Sequence, residues 1–377
     1  MSTSTPLSDS RLARLFDLLK TDPDNASLIG AASMAAYDEG NTEAVDTLLK
    51  RHEAIQPLSA DLLNLRGLVA LSQSLYEEAI AAFDAAAALQ ADPTVLYNLA
   101  YAHAMAGQYE RAVALADGSV LDSVPASVAL KMRALHHLGR LDDVVALGHT
   151  HGDRPGADEN VLGLMATALF DAGDMARARQ YVARSPHTPD GCTVGGMLAL
   201  DDGKEDQAIA LFSQALTLNP RSSRAMLGQG LGLLAKGEFA PASKTLAEAA
   251  GLLGSHAGSW VAAGWASVLQ PDLDRAQACF EQAMAADRGF SEAAGGLAIV
   301  YLRKNERKQA EHYAEVALRL DPASLSGALA SSLLLAQDGD AHGAEETRQA
   351  ALNLPLGPEG KTIARALARR AIRQSGA

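Results

Sequence analysis

The sequence contains very little cysteine and few aromatic residues. Only two of its 377 residues are cysteine, Cys192 and Cys279. Their wide separation fits neither a disulfide framework nor a metal-binding spacing, which favours a reducing compartment. Aromatic residues make up 5% of the chain although 48% of it is hydrophobic, so alanine and leucine supply much of the apolar fraction. Both are strong helix formers, and this composition predicts many thin helical layers.

Other features are also missing. Lys and Arg number 32 against 45 Asp and Glu, for a net charge of −13. This balance argues against broad nucleic-acid binding, which requires a basic face. No run of about 18 uncharged apolar residues appears, so a membrane-spanning helix is not expected. The N-terminus lacks a basic start followed by an apolar run and is therefore not typical of a secretory signal. These absences favour a cytoplasmic protein.

Helix-breaking residues recur at a nearly constant spacing. The gaps between successive breaks are 34, 33, 32, 34, 30, 34, 34, 34 and 34 residues. The breaks stand at Gly40, Ser74, Gly107, Gly139, Gly173, Gly203, Gly237, Pro271, Asn305 and Gly339. A fixed period of this length is the signature of a repeat architecture in which each unit packs on its neighbours.

Three further columns keep the same register. Five residues after the breaks, eight positions are alanine and two are valine; seven residues before them, all positions but Met132 are small. We expect these two columns to lie where the helices of one hairpin cross most closely. Nine residues after the break, large side chains such as Phe83 and Phe280 share a helix face with the alanine. The repeats at Gly107, Gly139 and Gly173 are weaker, and the first two have Ala116 and Gly148 in this column.

The pattern resembles the tetratricopeptide repeat family at every diagnostic column. The best stretch runs from Tyr76 to Ala86, Tyr-Glu-Glu-Ala-Ile-Ala-Ala-Phe-Asp-Ala-Ala. Trp260 stands where the family usually has tryptophan, and Gly264 follows four residues later. The resemblance covers about residues 24–357. It implies an all-α fold, a right-handed α-solenoid of about ten helical hairpins with terminal capping helices.

The same pattern divides the chain into four parts. Residues 1–23 are expected to form an N-terminal tail and capping helix, 24–184 an N-terminal repeat array, 185–357 a C-terminal array, and 358–377 a basic capping helix. Prolines within 184–193 predict either a bend between the arrays or an irregular loop. Residues 359–377 carry five cations and one acid. Beyond capping, they could contact an acidic partner or an anionic membrane surface.

The resemblance also implies a partner-binding groove. In this family the first helix of each hairpin lines the inner surface, and transferring those positions gives a largely apolar lining. The lining residues are Met34, Tyr37, Leu68, Tyr97, Tyr101, Met105, Arg133, His136, Phe170, Met197, Leu231, Trp265 and Arg303. Exposed apolar stripes are typical of binding surfaces, although neighbouring helices are expected to cover about half of these side chains. Asn98 matches one position of a carboxylate-binding clamp, but the required Lys and Arg partners are missing.

No catalytic signature accompanies the repeats. Residues 360–362, Gly-Lys-Thr, resemble the end of a phosphate-binding loop, but Pro355 stands where the loop requires glycine. The histidine pairs at 136–137 and 149–151 are predicted to lie too far apart to share one metal ion. One pair with an acid stays open as a metal site. We expect no enzyme activity, no cofactor and no bound metal.

The sequence therefore predicts a non-catalytic scaffold or adaptor in the cytoplasm. Its expected partner is a protein or peptide segment, extended or helical and partly apolar. Nucleic acid is not expected, and any membrane contact would be peripheral and made by the C-terminal helix. The alanine-rich, loop-poor sequence favours a bacterial assembly or secretion system. The alternatives are a cytoplasmic chaperone for secretion or assembly cargo and the regulatory arm of an enzyme complex.

Overall fold

A computed structural model describes residues 10–153 and 156–353, and the backbone of residues 355–356 and 361–362. This part of the chain contains twenty-two helices and one pair of short strands. In chain order the elements are α1 (Arg11–Thr21), α2 (Ala26–Asp38), α3 (Thr42–Glu53), α4 (Ala60–Ser72), α5 (Tyr76–Leu89), α6 (Pro93–Met105), α7 (Tyr109–Leu115), α8 (Ser119–Ser123), α9 (Ala126–His137), α10 (Leu141–Gly152), α11 (Glu159–Asp171), α12 (Met175–Arg184), α13 (Pro189–Asp201), α14 (Glu205–Leu218), α15 (Ser223–Lys236), α16 (Phe239–Leu253), α17 (Ala257–Leu269), α18 (Leu273–Ala286), α19 (Ser291–Arg303), α20 (Arg307–Leu320), α21 (Leu325–Gln337), α22 (Ala341–Leu352), β1 (Pro355–Leu356) and β2 (Lys361–Thr362).

Twenty of these helices form ten hairpins. The pairs are α2 with α3, α4 with α5, α6 with α7, α9 with α10, α11 with α12, α13 with α14, α15 with α16, α17 with α18, α19 with α20, and α21 with α22. The chain divides into two compact units, Met1–Ser185 and Pro186–Ala377. Each unit contains five hairpins, and α1 precedes those of the N-terminal unit. The predicted all-α solenoid of helical hairpins is confirmed.

All ten predicted breaks have a left-handed backbone. Their φ angles lie between 34° at Pro271 and 88° at Gly237. Glycine adopts this conformation without steric cost, and the exceptions are Ser74, Pro271 and Asn305. The left-handed residue ends the first helix and reverses the chain, as in the first hairpin, where Asn41 N donates to Ala36 O at 2.8 Å.

The core of each regular hairpin is built on a large side chain that enters a gap left by a small residue. A methyl group added to Gly67 would come within 2.4 Å of the Phe83 ring. The equivalent distances are 2.6 Å for Gly196 and Phe212, 2.6 Å for Gly230 and Leu246, and 2.7 Å for Gly264 and Phe280. Phe280 also packs against the next hairpin, because a methyl group on Gly296 would lie 2.4 Å from its ring.

The alanine column lies within the same interfaces. Its members are fully buried at nine positions, and Ala344 in the last hairpin is 6% exposed. We expected the alanine column to face the small residues that stand seven positions before each break. In the regular hairpins those small residues instead make room for the large side chain that stands nine positions after the break. The expectation therefore described only part of the interface. A bulky residue in either column would separate the helices.

Two hairpins of the N-terminal unit depart from this plan. The second helix of the third hairpin, α7, has only seven residues, and Gly118 (φ 47°) redirects the chain into the short α8. In the fourth hairpin, Gly148 replaces the usual large side chain. A methyl group there would lie 1.9 Å from Met165 Sδ, so a methionine from the following helix α11 fills this space. The volume lost in one hairpin is therefore supplied by the next.

Only residues 185–188 of the segment 184–193, predicted as a bend or an irregular loop, lie outside helices, because α12 ends at Arg184. Helix α13 already begins at Pro189, and the Thr188 hydroxyl accepts a hydrogen bond from Gly191 N at 3.0 Å. Proline suits the first position of a helix because its missing N–H would have no partner there. Pro189 therefore starts a helix.

The predicted start of the C-terminal helix at residue 358 is too early in the sequence. Strand β1 pairs with β2 in antiparallel register, Pro355 with Thr362 and Leu356 with Lys361. The four residues between the strands include two glycines and one proline, which favour turns over helix. A helix in this region therefore cannot begin before Ile363. Residues 363–377 lie outside the described part of the chain, as do residues 1–9.

Replacing Gly264 with alanine should destabilise the C-terminal unit. The added methyl group meets the packed Phe280 ring, and overpacking of this kind costs about 1–3 kcal/mol in the free energy of unfolding. Gly251 on α16 is the matched control, because a methyl group there would have no neighbour within 4 Å. Gly251→Ala should stabilise the protein by up to about 1 kcal/mol through helix propensity. Urea unfolding of both variants measures the difference. Equal midpoints for wild type and Gly264→Ala would contradict the proposed packing.

Replacing Ser74 with glycine should stabilise the N-terminal unit. Ser74 has φ 61°, and a left-handed L-residue carries about 1–2 kcal/mol of strain. Glycine removes that strain but loses more backbone entropy on folding, which leaves a net gain of about 0.5–1 kcal/mol. Gly107→Ala, at the next break, should shift the unfolding midpoint in the opposite direction. A loss of stability in Ser74→Gly would show that its side chain contributes more than its backbone costs.

Candidate partner-binding groove

All thirteen predicted lining residues lie on first helices of hairpins. Successive first helices are neighbours within each unit, so they form a continuous surface there. We call this surface the first-helix face of the unit. None of the thirteen side chains is fully buried. The exposed ones are Met34, Tyr37, Tyr101, Met105, Arg133 and Arg303, and the half-buried ones are Leu68, Tyr97, His136, Phe170, Met197, Leu231 and Trp265.

The first-helix face of the N-terminal unit is apolar from α2 to α6. Met34 and Tyr37 on α2 are 42% and 36% exposed, and Tyr101 and Met105 on α6 are 40% and 45% exposed. Each pair spans about one helical turn and therefore points in one direction. Half-buried Leu68 lies between the pairs on α4. Three neighbouring helices thus present large apolar side chains to solvent.

Polar groups interrupt this apolar surface at one place. Asn98 Nδ2 donates to Asn64 Oδ1 at 2.9 Å, which joins α6 to α4. The bond leaves the Asn64 nitrogen as a donor and the Asn98 oxygen as an acceptor. The Tyr97 ring lies 6.4 Å from the Tyr101 ring. Burial raises the pKa of Tyr97, and the neighbouring Tyr101 raises it further, so the Tyr97 hydroxyl stays protonated at neutral pH.

From α9 to α11 the face becomes polar. His136 Nε2 lies 2.8 Å from a carboxylate oxygen of Asp171, and the His137 ring stacks on Tyr109 at 4.4 Å. Burial lowers the pKa of His137, and the positive charges of His136 and Arg133 lower it further. His137 is therefore neutral at pH 7, and its main contact is aromatic.

The lining residues of the C-terminal unit contribute more to packing. The Trp265 ring meets the buried Phe280 ring edge-on, with centroids 5.8 Å apart. Arg303 Nη1 donates to Val268 O at 2.8 Å, which fixes α19 against the end of α17. Truncation of Trp265 would therefore disturb the core as well as the surface. Tyr101 and Met105 are the cleaner probes of binding.

Sequence reasoning missed three exposed apolar residues of the C-terminal unit. Leu269 on α17 is 49% exposed, and Leu329 and Leu333 on α21 are 39% and 42% exposed. The positions of two of them relative to their helix breaks could have identified them. Leu269 stands two residues before its break, as Met105 does, and Leu333 stands six residues before its break, as Tyr101 does.

Metal-ligating side chains are not gathered into one group in the described part of the chain. No three His, Cys, Asp or Glu side chains among them are grouped to hold a metal ion. The two histidine pairs each use one ring on a carboxylate: His136 with Asp171, and His149 with Asp153 at 2.8 Å. Within the same residues, no helix combines the length and apolar character needed to cross a membrane.

A family comparison matches two segments of the chain. The model of the tetratricopeptide repeat matches residues 31–95 and 194–257. The first segment includes α4 and α5 with the Gly67–Phe83 pair, and the second includes α14 and α15. A search among curated proteins finds no match to this chain.

A search of solved structures finds chains with a similar fold. The Cut9–Hcn1 hetero-tetramer of the APC/C matches 90% of this chain and 77% of its own, with 15% identity and a TM-score of 0.53. PilF of Pseudomonas aeruginosa matches 56% of this chain and 97% of its own, with 16% identity and a TM-score of 0.43. The first likeness supports the fold over nearly the whole chain. The family comparison identifies tetratricopeptide repeats at residues 31–95 and 194–257, and the ten left-handed breaks show that the same helical-hairpin pattern recurs through the described part of the chain.

Proposed function

We propose that this chain is a non-catalytic scaffold that binds a partner segment on the first-helix face of its N-terminal unit. The observation that carries the proposal is the exposure of four large apolar side chains, Met34, Tyr37, Tyr101 and Met105, on one face. Exposed apolar surface costs free energy in water. Contiguous patches of this kind mark interaction sites in soluble proteins.

None of these four side chains belongs to the hydrophobic core clusters of the N-terminal unit. The core is formed by the alanine column and by the contacts of small residues with large ones, which lie on other faces of the same helices. Tyr101 and Met105 leave more than a third of their surface in solvent. Their exposure supports a role in binding more than a role in packing.

The chemistry of the face favours an apolar segment of a protein partner. Apolar anchors of the segment would pack between the α2 and α6 pairs, above Leu68. The Asn64 nitrogen and the Asn98 oxygen are placed to bond the backbone of such a segment, since one supplies a donor and the other an acceptor. This arrangement suits an extended or a helical segment whose apolar side chains recur on one side.

Peptide display identifies the class of ligand directly. Immobilised full-length chain is used to select from a library of 16-residue peptides, and the affinities of the selected peptides are measured by fluorescence anisotropy. A scaffold should select peptides that share one spaced apolar motif. Selection of many unrelated apolar peptides with similar affinities would instead indicate a chaperone of unfolded cargo.

Truncation of Tyr101 should weaken binding of the selected peptides without unfolding the protein. Aromatic anchors at the centre of an interface cost about 2 kcal/mol or more when truncated to alanine. Leu89→Ala is the matched control, because Leu89 is 64% exposed but lies at the end of α5, a second helix. The control should leave affinity unchanged. Equal losses in Tyr101→Ala and Leu89→Ala, or no loss in Tyr101→Ala, would place the site elsewhere.

A further inference from the structure

On α19, the positions that line the first-helix face elsewhere are covered. Most of the predicted lining residues stand ten, six or three positions before a break, and the same positions on α19 are Gly295, Ile299 and Leu302. Ile299 and Leu302 are 4% and 8% exposed, and Gly295 is buried as well. Trp265, which stands six positions before its break on α17, is half-buried instead. Another part of the chain therefore lies on the first-helix face at α19.

Helix α21 is the element that covers these positions. Ile299 belongs to one core cluster with Ala330 and Leu334 of α21. A methyl group on Gly295 would lie 2.4 Å from Ser326 Cβ, so the two helices meet almost backbone to backbone. The contact involves the lining positions of α19, which means that α21 lies where a helical ligand of the first-helix face would lie.

A carboxylate of α19 holds the start of α21. Glu292 lies about one helical turn before Gly295, and its carboxylate accepts hydrogen bonds from Leu325 N at 2.8 Å and Ser326 N at 3.1 Å. It also accepts hydrogen bonds from the hydroxyls of Ser324, at 2.9 Å, and Ser326. The first N–H groups of a helix have no partner within the helix, and a negative charge beside them is favourable. Glu292 therefore binds α21 as a receptor would bind the N-terminus of a helical peptide.

The hairpin formed by α21 and α22 has a weak core of its own. Arg348 stands nine positions after the break, where regular hairpins have a large apolar residue, and its side chain is 53% exposed. Among the twelve residues of α22, all of which the structure describes, only Ala344 is buried. Leu334 is the one large residue among the six buried residues of α21. Opening of this hairpin therefore exposes little large apolar surface, which favours local detachment.

We propose that the α21–α22 hairpin is an autoinhibitory element, in which α21 occupies in cis a site for a helical segment of a protein partner. The competing segment shares the chemistry of α21. Its N-terminus offers N–H groups and a hydroxyl to Glu292, and its first turns place small residues against Gly295. Opening of the hairpin exposes Ile299 and Leu302 to this segment. The site lies in the C-terminal unit and does not depend on partner binding in the N-terminal unit.

Competition with a peptide of the α21 sequence tests the proposal in the full-length protein. The probe is a peptide of residues 324–337 that carries fluorescein at its C-terminal end, and its affinity is measured by fluorescence anisotropy. Ser326→Leu places a large side chain against Gly295 and should release α21, while the face of α19 keeps its own residues. The probe should bind this variant about tenfold or more tightly than the wild type, because only the open fraction of the wild type can bind it.

Two further variants and hydrogen exchange separate release of the hairpin from unfolding. Leu329→Ala is the matched control, because Leu329 is 39% exposed on another side of α21, and it should leave probe affinity at the wild-type level. Gly295→Leu, added to Ser326→Leu, blocks the face of α19 and should abolish probe binding. In Ser326→Leu, amides of α21 and α22 should exchange faster, whereas those of α13 to α18 should not.

Any of four results would overturn the proposal. Unchanged exchange of α21 in Ser326→Leu would show that the hairpin does not open. Faster exchange throughout α13 to α20 would make the hairpin part of the common core of the unit. Faster exchange confined to α21 and α22, without a gain in probe affinity, would show that the face of α19 does not bind a helix. Probe binding that survives Gly295→Leu would place the probe elsewhere.

Discussion

The structure depends on one steric relation, the fit of a large side chain from a second helix into space left by small residues on first helices. Gly264 and Gly296 enclose Phe280 from two successive hairpins, so one ring sets the spacing within a hairpin and between hairpins. Dispersion and burial at such a contact are lost quickly if the helices separate. The left-handed breaks keep the two helices of each hairpin in the register that this fit requires.

Because packing uses certain faces of each first helix, the remaining face can vary. Residues six and three positions before a break point away from the large side chain of their own hairpin, and they include Met34, Tyr37 and Tyr101. In the N-terminal unit these positions are apolar and exposed or half-buried from α2 to α6, then polar around His136. The repeat therefore supplies a rigid support, and the variable columns supply the chemistry of recognition.

The fold was predictable because the helix break and the alanine or valine five residues after it recur in all ten hairpins, so a signal that is weak in one repeat becomes strong over ten. The packing of an individual repeat was harder to predict from its own sequence. In the sequence, Gly148 indicates missing volume in its hairpin, whereas in the structure Met165 from the next helix fills that space. Such compensation between repeats cannot be detected within the sequence of one repeat. The predicted lining residues lie on first helices, but a single sequence did not separate Trp265, which packs on Phe280, from Tyr101, which does not. The predicted start of a C-terminal helix at residue 358 was wrong, because the turn-forming residues before Lys361 outweigh local helix propensity.

The central claim is that a partner segment lies on the first-helix face of the N-terminal unit. Site-specific photo-crosslinking tests it most directly, with p-benzoylphenylalanine placed at position 101 in one protein and at position 89 in another. Both side chains are exposed to solvent, Tyr101 on a first helix and Leu89 on a second helix. The account predicts a discrete crosslinked partner from position 101 and none from position 89. Crosslinking from position 89 alone would contradict it.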